Sequence, residues 1–281
     1  MQSQASMALR SGLNQPDSGS RSRQALAWSA RIWFGALAGG QLLFVLYLLA
    51  FYWRHAFAGQ LAAWNKVVPH AYRAGDGPGN AAMVIHIAMA TLVIAGGLLQ
   101  LLPWLRTRLP QLHRWNGRLY MLGALAASAA GLYMVWIRGA VGDMSQHIGL
   151  TLDAVLIWAF AWLSWRAAWQ GRIADHRRWA LRLFIAVSGV WFFRVGMMLW
   201  IVINHGPKGF DPDSFTGPFL TFLAFADYLL PLAILELYLR AQHARPATRL
   251  TIATLIGGLS IAMLIGTAVA ALAMWLPRMA A

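Results

Sequence analysis

The sequence predicts an all-α protein, a polytopic bundle of about seven transmembrane helices. Hydrophobic residues make up 59% of the 281 residues and charged residues only 11%, whereas a soluble domain usually has about 25% charged residues. Seven apolar stretches are each long enough to cross the hydrocarbon core of a bilayer, which takes about 20 residues. Because lipid offers the backbone no hydrogen-bond partners, such stretches must be helical.

The elements follow in order along the chain. The predicted spans cover residues 29–52, 81–105, 115–137, 147–168, 179–203, 217–239 and 249–276. Residues 1–28 are rich in Ser, Gln and Arg and contain no apolar run followed by a cleavage site, so we interpret them as a disordered cytoplasmic tail. Residues 29–276 then form a single transmembrane domain.

The distribution of Lys and Arg predicts that the N-terminus lies in the cytoplasm and the C-terminus outside. With this orientation 16 basic residues lie on the cytoplasmic side, 6 lie on the outer side, and Arg194 lies inside a span. The outer six are Arg54, Lys66, Arg73, Arg138, Lys208 and Arg278. An excess of basic residues in cytoplasmic loops is the usual sign of orientation. It also explains the net charge of +14, so the predicted partner is the lipid bilayer and not nucleic acid.

The absence of cysteine narrows the possible chemistry. A chain without cysteine has no disulfide, thiolate metal site, iron–sulfur cluster or covalently attached haem. Metal or redox chemistry must use His, carboxylates, Met or Tyr. The sequence also contains no nucleophile motif or phosphate-binding loop that would support a hydrolase or a kinase.

Four histidines lie on four consecutive predicted helices. Spans two and four begin on the predicted outer side, which places His86 and His147 near that face, whereas His113 and His176 begin spans three and five near the cytoplasm. Facing imidazoles in a helix bundle can hold a b-type haem iron through two axial ligands. The hypothesis is that the protein binds one or two haems, each held by the histidine pair at one membrane face. The alternative is that each histidine is an ordinary interfacial residue beside Arg and Trp.

Three arginines are placed where the propionates of such haems need donors. Arg118 and Arg182 belong to the basic groups near the inner histidines. Arg194 follows His176 by 18 residues, which is five full helical turns at 100° per residue, so both lie on one face of the helix. A lone arginine deep in a span is costly and is a functional hypothesis by default.

Three acidic residues also lie within predicted spans. They are Asp153 in span four and Asp227 and Glu236 in span six. Each is a candidate partner for Arg194, a step in a proton path, or part of the lining of a small water-filled cavity. A structural salt bridge is the expectation for at least one of them.

The sequence around the histidines resembles a known family. The segments that carry the resemblance are His86, Gly96-Gly97-Leu98-Leu99-Gln100, Leu112-His113-Arg114-Trp115-Asn116-Gly117-Arg118-Leu119-Tyr120, His176-Arg177-Arg178-Trp179 and Arg194. They are similar to bacterial membrane proteins grouped as domain of unknown function 2306 (DUF2306), over about residues 80–240. That family has no settled activity, and the resemblance implies a multi-pass protein of the bacterial inner membrane.

His86, Gln100 and His113 with Gly117 and Arg118 carry a more distant resemblance to cytochrome b561 and related di-haem membrane reductases. It implies a four-helix core made of spans two to five, haem b, and a quinone or another redox partner. The implied axial pairs are His86 with His147 and His113 with His176. The chain departs from that pattern because its inner histidines lie at the very start of their helices and because it has a seventh span.

Three functions therefore compete at this point. The first is transmembrane electron transfer through haem, and the second is transport or proton relay built around Arg194, Asp153, Asp227 and Glu236. The third is a non-catalytic membrane subunit whose polar residues only hold helices together. Against the second function, the sequence shows no clear discontinuous helix pair, a feature that usually marks transporter sites.

Overall fold

A computed structural model describes residues 18–280, with side chains from residue 19. Within this range the protein is all helical, as predicted, with six helices long and apolar enough to cross a membrane and a bent pair that makes up to seven spans. In chain order they are α1 (Gly19–Phe57), α2 (Gly77–Gln100), α3 (Pro110–Gly139), α4 (Met144–Trp169), α5 (Ile173–Val187 and Gly189–Ile203), α6 (Pro218–Ala241) and α7 (Pro246–Ala280).

Helix α1 begins earlier than the sequence predicts. The chain is helical from Ser18, so the last part of the predicted disordered tail is ordered, while residues 1–17 lie outside the described residues. Leu26 is buried in a cluster with Ala241, Ala253 and Ile256. Most of a helix's stability comes from packing of this kind, which a polar composition does not reveal.

The alternation of the helices gives the bundle two ends. Loops 58–76, 140–143 and 204–217 lie at one end, which we call the Asp76 end. His113 and His176 lie in the first turns of α3 and of α5, at the opposite end, which we call the His176 end. The prediction that the His176 end faces the cytoplasm stays a prediction.

The core extends beyond the predicted four-helix unit of spans two to five. Helix α2 packs along α3, and α4 packs along the first half of α5. The largest buried cluster, however, joins α1, α2, α5 and α7 through residues such as Phe44, Trp191 and Trp275. Helices α1 and α7 therefore complete the core and do not merely flank it.

Helix α5 is discontinuous, which corrects the expectation drawn from the sequence. Its two halves, of 15 residues each, meet at Ser188 with a bend of 49°. Ser188 Oγ donates to the carbonyl of Phe184 at 2.7 Å and accepts a hydrogen bond from Gln41 Nε2 at 2.8 Å. The interruption therefore lies at the middle of the span and is stabilised by a buried polar contact with α1.

Three other helices contain π-helical turns. They span Leu48–Trp53 in α1, Met134–Gly139 in α3 and Ala271–Trp275 in α7. All three lie in the half of the bundle near the Asp76 end. Because single π-helical turns inside α-helices frequently occur at functional sites, this half of the bundle is where a site is expected.

Candidate functional site: an intramembrane polar cavity

A cavity of about 390 Å³ runs from the Asp76 end to the middle of the bundle. The exposed loop residues Pro69 and His70 line it at the surface, and the buried residues Val93 and Ile157 line its inner part. This volume is in the range of small-molecule sites. Its polar lining residues are Tyr47, Tyr52, His70, Arg73, His86, Ser128, Arg138, Gln146, Asp153, Arg194 and Asp227.

Two carboxylates approach the break in α5. Asp153 Oδ2 lies 3.3 Å, and Asp227 Oδ2 lies 3.7 Å, from the position that a Cβ atom on Gly189 would occupy. The Oδ1 atom of each is buried without a hydrogen-bond partner among the described residues, and Asp227 is only 7% exposed. Two carboxylates this close in a low-dielectric site cannot both carry a charge at low cost, so we expect them to hold at least one proton between them.

Arg194 lines the same cavity from the second half of α5. Its Nη1 donates to the carbonyl of Val190 at 2.7 Å, and its guanidinium carbon lies 5.3 Å from the centre of the Phe44 ring. No carboxylate of the described residues lies within 4.0 Å of it. The pairing of Arg194 with an intramembrane acid is therefore not formed, and the cavity contains a cation without a protein anion beside it.

Arg182 and Arg118, the two other predicted propionate donors, have different partners. Arg182 Nε donates to Glu236 Oε1 at 2.7 Å, and its guanidinium lies 4.5 Å from the Trp179 ring centre. The expected salt bridge of one intramembrane acid is thus confirmed for Glu236, and it joins α5 to α6. Arg118 lies 4.7 Å from the ring centre of Trp115 on the surface.

His86 and His147 do not line this cavity together. His86 lines it, and its Nδ1 lies 2.9 Å from the carbonyl oxygen of Ala127. His147 is absent from the lining and packs edge-on against the Trp136 ring, with ring centres 5.9 Å apart. Helix α3 packs against both α2 and α4. Both contacts, Ala127 for His86 and Trp136 for His147, come from this helix.

His113 and His176 also lie outside this cavity. His176 Nδ1 lies 2.9 Å from the Ser164 carbonyl oxygen and 3.1 Å from its hydroxyl, while His113 Nδ1 is buried without a partner among the described residues. A haem with two axial histidines needs both rings to face one space. His86 and His147 do not face one space in this cavity, and His113 and His176 lie at the opposite end of the bundle. Haem binding stays a prediction that a reduced-minus-oxidised visible spectrum tests.

The chain offers no other evident metal site in its described part. Within residues 19–280, no group of three or more His, Asp or Glu side chains is placed to hold a metal ion.

Some of the residues that carry the family resemblance, namely Gly96, Gln100, His113 and Asn116, join α2 to α3 by hydrogen bonds. Asn116 Nδ2 donates to the Gly96 carbonyl and to Gln100 Oε1, both at 2.8 Å. Gln100 Nε2 in turn donates to the carbonyl of His113 at 3.0 Å. Half-buried amides that bond to each other hold two helices at close range, so these four residues position the walls of the site and do not line it.

A network at the Asp76 end ties the long loop to the end of α3. Arg138 donates from Nε to Asp76 Oδ2 at 2.8 Å, from Nη2 to Asn80 Oδ1 at 2.8 Å, and from Nη1 to the Ala71 carbonyl at 2.9 Å. Arg73 Nη1 donates back to the Arg138 carbonyl at 2.9 Å. Since Arg73, Ala71 and Arg138 line the cavity, this network forms part of its mouth.

Sequence reasoning missed this network, although one signal was present. The segment from Asp76 to Asn80 is an N-cap pattern, and Asp76 Oδ1 accepts a hydrogen bond from the Gly79 N–H at 2.9 Å. The partner Arg138 is 62 residues away in the sequence, so its approach follows only from the packing of α2 on α3.

We expect the mouth network to be sensitive to acid. The backbone hydrogen bond from Gly79, together with the Arg138 guanidinium, lowers the pKa of Asp76 below its usual value. A lowered folded-state pKa stabilises the network above the usual carboxyl range, about pH 4, and this contribution is lost as the pH falls through the lowered value. Asp76→Asn should reproduce the loss at pH 7, measured as faster hydrogen–deuterium exchange of loop 58–76.

The matched control is Asp175→Asn. Asp175 forms an exposed ion pair with Arg172 at the His176 end, so its loss should leave exchange in loop 58–76 unchanged. Equal exchange in wild type and Asp76→Asn would contradict the role given to this network.

The comparisons with known proteins agree with the fold. A family model described as "Predicted membrane protein (DUF2306)" matches residues 83–230. This match covers more than half of the chain, from α2 into α6. Neither the curated proteins nor the solved structures contain a match.

Proposed function

The chain belongs to the DUF2306 family of predicted membrane proteins, and we propose that it is a proton-relaying membrane transporter. The proton-binding group in this proposal is the pair of Asp153 and Asp227. The observation that carries the proposal is their position: both carboxylates reach the gap beside Gly189, where the cavity meets the break in α5.

The access path supports this proposal. The cavity joins exposed loop residues of the Asp76 end to the two carboxylates in the middle of the bundle. His86 lines the same path, and histidine is a common proton shuttle. Ionisable side chains inside membrane bundles commonly form proton relays of this kind.

In this proposal, the two halves of α5 move relative to each other at the break. Transporter sites lie typically near the bilayer midplane, where discontinuous helices meet, and a change of access follows when one part of the bundle rocks against another. Ser188 links the break to Gln41 of α1 by a buried hydrogen bond. In the proposed mechanism, a change of protonation at the carboxylate pair alters the packing at Gly189 and thereby the angle between the halves of α5.

Proton movement into liposomes tests the proposal. The purified protein is reconstituted with a pH-sensitive dye inside the vesicles, and a potassium gradient with valinomycin drives proton entry. We expect entry faster than in empty liposomes, and a decrease of about tenfold or more in Asp227→Asn and in Asp153→Asn, because each transferred proton has to bind this pair.

The control is Asp213→Asn, which removes an exposed loop carboxylate far from the break and should conduct protons like wild type. Wild-type protein that moves protons no faster than empty liposomes, or an Asp227→Asn variant that matches wild type, would overturn the proposal.

A further inference from the structure

We propose that the cavity binds an amphipathic anion, a molecule with one acidic headgroup on an apolar chain, and that Arg194 and Tyr47 hold the headgroup. This inference rests on the proposed function, because it names the substrate class of the same cavity. It is carried by three features of the lining, namely a headgroup site at Arg194 and Tyr47, a surplus of positive charge and apolar inner walls.

The first feature is the headgroup site. The Arg194 guanidinium uses Nη1 for the Val190 carbonyl and has no carboxylate partner among the described residues. Tyr47 is 2% exposed and lines the cavity, and its hydroxyl has no hydrogen-bond partner within 3.5 Å among those residues, although the Tyr52 side chain lies close to it. A buried donor left without a partner is costly. A ligand that accepts hydrogen bonds from both Arg194 and Tyr47 removes this cost and is therefore stabilised in the cavity.

The second feature is the sign of the charge. The charged lining residues are Arg73, Arg138, Arg194, Asp153 and Asp227. Only Arg138 is neutralised by an acid outside the lining, namely Asp76. Because the two aspartates are expected to share at least one proton, the lining carries a surplus of positive charge. An acidic ligand compensates that surplus, whereas a cationic ligand would add to it.

The third feature is the apolar remainder of the cavity. Buried side chains such as Ile87, Val93 and Ile94 form its inner wall. Leu150 of α4 and Val190 of α5 also line it and are 42% and 38% exposed. In a membrane-embedded bundle, an exposed apolar side chain within a span contacts lipid. The cavity is therefore within reach of molecules dissolved in the bilayer, and its apolar walls suit a hydrocarbon chain.

Equilibrium binding of tritiated decanoate tests this inference. The protein is placed in nanodiscs, and binding to empty nanodiscs is subtracted. We expect saturable binding that decyl phosphate also displaces, since it presents the same acidic headgroup chemistry, while decanol and decyltrimethylammonium do not displace it. Stronger displacement by decyl phosphate than by decanoate would identify a lipid phosphate as the natural headgroup, and the reverse would identify a free carboxylic acid.

Substitution of the headgroup site gives the decisive comparison. Arg194→Gln should weaken decanoate binding roughly 10- to 100-fold, as expected for loss of a charged hydrogen bond, and Arg194→Lys should retain an intermediate affinity. Tyr47→Phe should weaken binding less, about 2- to 10-fold. Arg177→Gln, which changes an exposed arginine of the same helix, is the matched control and should bind like wild type.

The experiments distinguish a failure of the anion-binding inference from a failure of the proposed proton relay. Asp227→Asn should lose proton movement but keep decanoate binding, because the headgroup site is intact. Displacement by decanol as strong as by decanoate, or wild-type affinity in a monodisperse Arg194→Gln protein, would overturn the inference while leaving the proton relay standing.

Discussion

Replacing Gly189 with leucine is expected to block most of the proton movement. A Cβ atom at this position would lie 3.3 Å from Asp153 Oδ2 and 3.7 Å from Asp227 Oδ2, so a leucine side chain fills the gap that the two carboxylates share. Hydrocarbon between them separates the pair and removes the space through which a proton reaches it. We expect proton entry into liposomes to fall by about tenfold or more, as for removal of a proton-transfer group.

The control for this substitution comes from the same bundle. A Cβ atom on Gly258 of α7 would meet no atom within 4 Å, so Gly258→Leu adds the same side chain in open space and should leave proton entry unchanged. Size-exclusion chromatography shows whether both variants are folded. A folded Gly189→Leu protein with wild-type proton entry would show that the gap beside the break has no role.

Replacing Gly97 with leucine is expected to destabilise the whole bundle. Gly97 of α2 faces Tyr120 of α3 and Phe184 of α5, and a Cβ atom here would lie 2.8 Å from the Tyr120 ring and 3.2 Å from the Phe184 ring. Both rings are buried and cannot move aside without shifting a helix. Overpacking of this kind costs about 1 to 3 kcal/mol, which should appear as a lower midpoint of thermal unfolding in detergent.

The comparison for Gly97 is Gly35→Leu in α1. A Cβ atom on Gly35 meets no atom within 4 Å, and leucine has a higher helix propensity than glycine, so this variant should unfold at the wild-type temperature or above. Equal midpoints for Gly97→Leu and wild type would mean that the three helices do not meet as closely as described.

The all-helical fold could be predicted because a chain in a bilayer must form its backbone hydrogen bonds internally. Long apolar stretches with few charges must become helices in lipid, and the structure contains six helices of this kind plus the bent α5. The first residues of α1 were harder to predict, since Leu26 lies in a polar segment and its burial comes from contacts with α6 and α7. The composition of a segment indicates whether it lies in lipid or in water, but it does not indicate which helices the segment packs against.

The candidate site could be predicted only in part. The sequence singled out Arg194, Asp153 and Asp227 as isolated intramembrane charges, and all three line one cavity. Helical periodicity also placed the four histidines on suitable helices, but it does not fix how those helices rotate about their axes. His147 is turned to Trp136, which is why it does not meet His86 across the cavity.

The break in α5 could not be predicted for a different reason. Ser188 and Gly189 stand in an apolar segment where small residues ordinarily serve helix packing. Contacts from other helices meet at the interruption: Gln41 of α1 donates a hydrogen bond to Ser188 at 2.8 Å, and the two aspartates lie beside Gly189. These contacts are known only once the other helices are in place.

The most direct test of the proton-holding pair is the infrared spectrum of the purified protein in lipid at neutral pH. The proton relay predicts an absorption band of a protonated carboxyl group that shifts in heavy water and is lost or altered in both Asp153→Asn and Asp227→Asn, but not in Asp213→Asn. A wild-type spectrum without such a band, or a band that neither substitution changes, would contradict a proton shared by Asp153 and Asp227.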